Sequence, residues 1–206
     1  MTDTLLDTTQ YDVLNTIALK KMASAQGIVD ATGVDQAIVT SALATLQALG
    51  LVATIGEQSL PMDDAVPALV ATSNERYAAL RVEPAVLEMA DKFEVVNGHF
   101  LTVISSWQQI DVGGRKITND HTDSEYDDKV LGRLDKLVAR LIQLIHVLGE
   151  RDARFDRYAV RFARANDLVA AGDLAYVSSP TIESVHNIWF EFHEDLLRTL
   201  GRERSE

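Results

Sequence analysis

The chain has no cysteine. That excludes a disulfide scaffold, a cysteine nucleophile and any thiolate metal site. Long apolar runs are missing too, and none approaches the roughly 20 residues a bilayer span needs. The N-terminus, MTDTLLDTTQY, is acidic and has no basic start followed by an apolar stretch, so it does not read as a signal peptide. Catalytic signatures are lacking. Gly113-Gly114 stands without the spacing or the Lys-Ser/Thr of a phosphate loop, and neither a G-x-S-x-G elbow nor H-E-x-x-H occurs. The most pointed absence is local: from Ala23 to Glu75 there is no Lys or Arg. These gaps lead to the expectation of a cytoplasmic, non-enzymatic protein that needs no cofactor.

What is present is enough apolar residue for a core, 47% of 206 residues, under a net charge of −12. The acidity argues against non-specific nucleic-acid or anionic-membrane binding. The charge is uneven: the first 75 residues hold nine acids against two bases.

Hydrophobic periodicity divides the chain near Pro84. Val13, Leu14, Ile17 and Ala18 mark one face of a first helix, and residues 24–32 form a second that Gly33 ends. Asp35 caps a third over 36–49, with Val39, Leu43 and Leu46 inward. Two strand-like stretches follow, Leu51–Ile55 and Val66–Thr72, joined through a tip reading EQSLPMDD, and a helix restarts after Ser73. Beyond Pro84 come four amphipathic patterns, over 84–110, 124–148, 150–171 and 181–200. Pro180 suits the first position of the last one and Gly201 its end. Their short connections suggest an antiparallel four-helix bundle. The longest connection, DVGGRKITNDH (111–121), is a candidate site edge.

The stretch ATGVDQAIVTSALATLQALGLV, with Thr32, Gly33, Val34, Asp35, Val39, Leu43, Leu46, Gly50, Leu51 and Val52 at the key spacings, resembles the turn and recognition helix of MarR-like winged helix-turn-helix proteins. WQQI, NDHTDSEYD and HNIWFEFHEDLL look like parts of uncharacterised actinobacterial proteins that also begin with a winged helix. The resemblance implies a mainly α fold, with a winged helix-turn-helix domain at 1–80 and a helical, ligand- or partner-binding domain at 84–206. It also implies a recognition face at Gln36, Ala37, Thr40 and Ser41. DNA affinity rests largely on phosphate neutralisation by Lys and Arg, which this face lacks.

Three constellations in the second half are candidates for a site. The aromatic seam could enclose an apolar ligand, with Phe100, Trp107 and Trp189 as walls and His186 and His193 as polar handles. Arg151, Arg154, Arg157, Arg161 and Arg164 fall on one helical arc. Arg154 to Arg164 could face the acids at 123–128, a second subunit, an anionic ligand or an acidic protein. Glu183, His186 and His193 are weak metal candidates, because a carboxylate-bridged bundle needs a second E-x-x-H and none occurs.

Three readings follow. In the leading one, a regulator senses a ligand or partner through its helical half and uses its acidic winged helix for protein contact or homodimerisation. In the second, a ligand-responsive, dimeric DNA-binding transcriptional regulator reads an operator. In the third, the chain is an accessory subunit of an enzyme complex.

Overall fold

In a computed structural model, which describes residues 5–203, the chain is mainly helical with a small antiparallel sheet and a separate hairpin. It forms two compact units. One is Met1–Glu83 with Trp189–Glu206, and the other is Pro84–Ile188. Periodicity along the chain puts the boundary at Pro84 and everything beyond it in the second half. The contacts instead group the last 18 residues with the first unit.

The first unit opens with α1 (Thr8–Lys20). Asp7 and Gln10 form a reciprocal capping box that satisfies two free N–H groups at its start. The short strand β1 (Ala23–Ser24) leads into α2 (Ala25–Thr32), where the Ser24 hydroxyl accepts from the Gly27 N–H at 3.0 Å. Gly33 closes α2 in the left-handed region, φ 68°, a conformation that a β-carbon disfavours. Asp35 then caps α3 (Gln36–Ala48), its carboxylate accepting from the Ala37 N–H at 2.8 Å. Strands β2 (Val52–Ile55) and β3 (Gln58–Pro61) pair in the register Val52↔Pro61 to Ile55↔Gln58. β1 adds to the other side of β3, so the sheet order is β1-β3-β2.

Val66–Thr72 is not a strand. It lies within α4 (Ala65–Arg76), and the second strand of the hairpin falls earlier, inside the expected tip EQSLPMDD. Gly56, φ 62°, makes the tight turn with Glu57. Ala65, Ala68, Leu69, Thr72 and Ser73 are buried at helical steps, a pattern that the interspersed β-branched Val66, Val70 and Thr72 mask. Pro67 is tolerated because the first turn of a helix has no internal partner for its missing N–H. A 3-10 turn at Leu80–Val82 ends this stretch.

The second unit is built on three long helices: α5 (Pro84–Gln108), α6 (Ser124–Gly149) and α7 (Asp156–Ala170). α6 packs on both α5 and α7. The predicted seam residues Met89, Phe93, Val96, Phe100, Val103 and Trp107 are all buried. So are Val130, Leu134, Leu137 and Leu141 of α6. Fully burying such a side chain contributes about 1.5–3 kcal/mol. Ile110, the expected end of the seam, lies outside α5. The segment read as a loop is a hairpin, β4 (Gln109–Val112) with β5 (Arg115–Thr118), in which Ile110 faces Ile117. Gly113 and Gly114 both have positive φ, 63° and 82°, as a two-residue hairpin turn requires.

After the short α8 (Ala175–Ser178) comes α9 (Val185–Leu200). It starts four residues later than expected, because Ser184 rather than Pro180 is at its start: the Ser184 hydroxyl accepts from the Asn187 N–H at 3.3 Å. Glu183 therefore lies outside the helix that carries His186. From Trp189 on, α9 belongs with the first unit. There Asn15 donates to Asp195 at 2.9 Å, Lys20 pairs with Glu191 at 2.9 Å, and Ser73 donates to the Arg198 carbonyl at 2.9 Å.

Candidate functional site

The outward face of α3 is the first candidate. Val39, Ala42 and Leu46 are buried, which turns Gln36, Ala37, Thr40 and Ser41 to solvent. Ile38, half exposed, stands among them, and Ala44 and Thr45 extend the face. The hydroxyls of Thr40 and Thr45 donate to carbonyls of their own helix, those of Gln36 and Ser41, at 2.8 and 3.2 Å. Gln47 donates to Thr54 of β2. A cleft of about 400 Å³ runs beside the face, lined by Asp7 and Gln10 with Ile38, Ser41 and Thr45.

The electrostatics of this face follow from what surrounds it. Glu57, Asp63 and Asp64 are exposed around the β2–β3 hairpin. Of the two bases that precede the cation-free stretch, Lys20 pairs with Glu191 and Lys21 is at the surface. Arg76 pairs with Asp12 at 3.1 Å and lies over the Tyr11 and Tyr77 rings, 5.2 Å from each. Ile55, Met62, Val66 and Val70 add exposed apolar area to the same unit.

The aromatic candidates are distributed over both units. Phe100 and Trp107 are buried in the second unit, where the Phe100 and His186 rings lie 6.1 Å apart. Desolvation by burial holds the His186 imidazole below its usual pKa of 6.5. Trp189 and His193 are buried and belong with the first unit. None of the five lines the cleft beside α3.

The arginine arc splits in two. Arg161 donates to Glu183 at 2.7 Å and lies over the Tyr158 ring, and Arg154 lies 4.1 Å from the Phe155 centroid near Asp152. Arg157 and Arg164 are exposed. Two of these arginines thus have carboxylate partners within their own unit, Glu183 for Arg161 and Asp152 for Arg154. The ion pair also gives Glu183 a role without metal. Among the described residues no group of three or more His, Asp or Glu side chains is placed to hold a metal ion.

The end of the 111–121 connection, a candidate site edge in the sequence, joins a cluster with Trp107 and Asp127 that the sequence does not show. At the start of α6, Asp127 is buried, accepting from the Asn119 amide at 2.8 Å and standing 2.9 Å from His121 Nδ1. The Trp107 and His121 ring centroids lie 4.2 Å apart with the planes tilted by 36°, and His121 itself is left-handed, φ 60°. The Thr122 hydroxyl and backbone N–H both donate to Asp120, lowering that carboxyl's pKa. A cleft of about 460 Å³ opens beside this cluster between α6 and α7. His121, Asp128 and Asp135 line it with Leu131, Asn166 and Val169. In sequence its signals are the 111–121 connection, a candidate site edge that ends in Asn119, Asp120 and His121, and the helix cap that follows. Its assembly depends on the hairpin, which brings Asn119 back to the end of α5, where its amide also donates to the Trp107 carbonyl.

Among the described residues no helix is long and apolar enough to cross a membrane. No protein-family model matches the chain, and neither a curated protein nor a solved structure shows significant similarity to it.

Proposed function

We propose that the chain is a non-enzymatic regulatory protein whose first unit is a winged helix used for protein contact rather than for gripping DNA. One observation carries this reading: the outward residues of α3 are exposed, uncharged and partly apolar, in a stretch of 53 residues without a Lys or Arg. Non-specific DNA affinity depends on cations that release counterions from phosphate. Here carboxylates flank the face instead. Neutral side chains around a half-exposed isoleucine suit the centre of a protein interface, where charged residues are depleted. The 460 Å³ cleft between α6 and α7 is within the size range of small-molecule sites and is the better candidate for the ligand-sensing part of this role.

The test combines two measurements. Anisotropy with duplexes from the protein's own operon at low salt is expected to show no binding at micromolar protein. A photo-crosslinking side chain at Ser41 is expected to give one defined protein adduct in cells, lost in the Ile38→Asp variant. Duplex binding that Thr40→Glu removes would establish the DNA-binding regulator in its place.

A further inference from the structure

α6 carries Lys129, Arg133, Lys136 and Arg140. Steps of four, three and four residues keep them within an arc of about 60° and spread them over about 16 Å of helix. All four are exposed. Lys129 is 2.7 Å from Glu125 on the same helix. Arg133, Lys136 and Arg140 have no ion pair or hydrogen bond among the described residues. Of the α6 carboxylates, Glu125 sits at the edge of the arc as the partner of Lys129, and the other three fall off it, with Asp127 engaged by Asn119 and His121 and Asp135 by Asn166 at 2.8 Å. A line of cations on a chain of net charge −12 calls for an anion, and the chain itself supplies a matching one. Glu57, Asp63 and Asp64 are exposed at the two ends of β3. At about 3.3 Å per residue, Glu57 and Asp63 are up to about 20 Å apart, close to the length of the stripe.

We propose that the α6 stripe and the carboxylates flanking β3 are the two halves of a head-to-tail contact between copies of this chain. Apolar surface adjoins the acidic half, where Ile55, Met62 and Val66 are exposed beside the carboxylates. A second copy fits the stripe better than a nucleic acid does, because a duplex would meet the whole acidic molecule along its length. Between copies, remote like charges are screened beyond about 8 Å at physiological ionic strength, whereas pairs in contact are screened less. The two patches differ, so the contact is heterologous and builds a ring or an open chain. Gln36 and Thr40 of α3 are in neither half, so this contact and the α3 contact can be lost separately.

Sedimentation velocity of the full chain tests it, from micromolar to submillimolar protein, at about 50 mM and about 500 mM salt, which shortens the Debye length about threefold. The sedimentation coefficient is expected to rise with concentration at low salt and to return to the monomer value at high salt. Arg133→Glu with Lys136→Glu is expected to weaken association about tenfold, and Asp63→Lys with Asp64→Lys to do the same. The four changes together are expected to restore it. Arg133→Gln with Lys136→Gln, a milder pair, should weaken it too if the reversed pair loses its helical circular dichroism. A chain that stays monomeric throughout overturns the proposal, as does association indifferent to these changes or unrescued by the fourfold variant. So does a labelled duplex that binds the monomer and is released by the stripe reversal, which would assign the stripe to nucleic-acid backbone.

Discussion

His186 shows how one side chain ties burial to a measurable property. Its ring is half-buried near Phe100, and desolvation disfavours the imidazolium. The folded chain therefore takes up this proton at a lower pH than the unfolded chain, whose value is 6.5. Between the two values the unfolded state holds the extra proton. The stability that His186 permits is complete above 6.5 and is lost as pH falls through the folded value. Replacing it with Gln is expected to flatten the decline in Tm between about pH 7.5 and about pH 5, read against the wild type by thermal scans. An unchanged slope would mean that other groups govern acid sensitivity. Asp127 is a contrasting residue. It is buried but has both oxygens engaged, by Asn119 and His121, so its cost of burial is offset locally.

At the scale of elements, local chemistry decides where segments start and stop. The α2–α3 turn depends on Gly33 in the left-handed region and on the Asp35 carboxylate over the α3 N-terminus. Asp35→Ala is expected to lower unfolding free energy by about 1 kcal/mol, measured by urea denaturation, and Asp35→Ser to recover most of it. Equal stability of wild type and Asp35→Ala would show that the cap is not needed. The hairpin between α5 and α6 depends in the same way on Gly113-Gly114, a pair whose turn chemistry is readable but was outweighed by the polar run around it. α4 is masked for the opposite reason: Val66, Leu69 and Val70 suit a strand by type, and only the buried positions show the helical step.

At the scale of the whole molecule, the end of the chain completes the beginning. The last turns of α9 place Asp195, fully buried, against Asn15. Arg81 reaches the Thr199 carbonyl at 2.8 Å and the Ser73 hydroxyl at 3.1 Å. A fragment ending at Glu83 leaves Asn15, Lys20 and Ser73 without these partners. Each unsatisfied buried polar group costs about 1–3 kcal/mol, against the roughly 5–15 kcal/mol that hold a domain together. The fragment is therefore expected to lack a cooperative thermal transition, while the same fragment mixed with a 185–203 peptide gains helical circular dichroism. Cooperative melting of the fragment alone would show that its first 83 residues are self-sufficient.

The sequence by itself determined the helices with strong apolar periodicity, the Gly33–Asp35 turn and the absence of cations from Ala23 to Glu75, because these depend only on residue type and near neighbours. Tertiary structure decided what neighbours in sequence cannot: that β1 joins β3, that the end of α9 groups with α1 and α4, and that Arg161 meets Glu183. It also assembled Trp107, Asn119, His121 and Asp127 beside a cleft, a cluster that depends on a hairpin bringing four separate positions together. Long-range pairing depends on how faces meet in space, and no local pattern encodes which carboxylate a buried amide will reach.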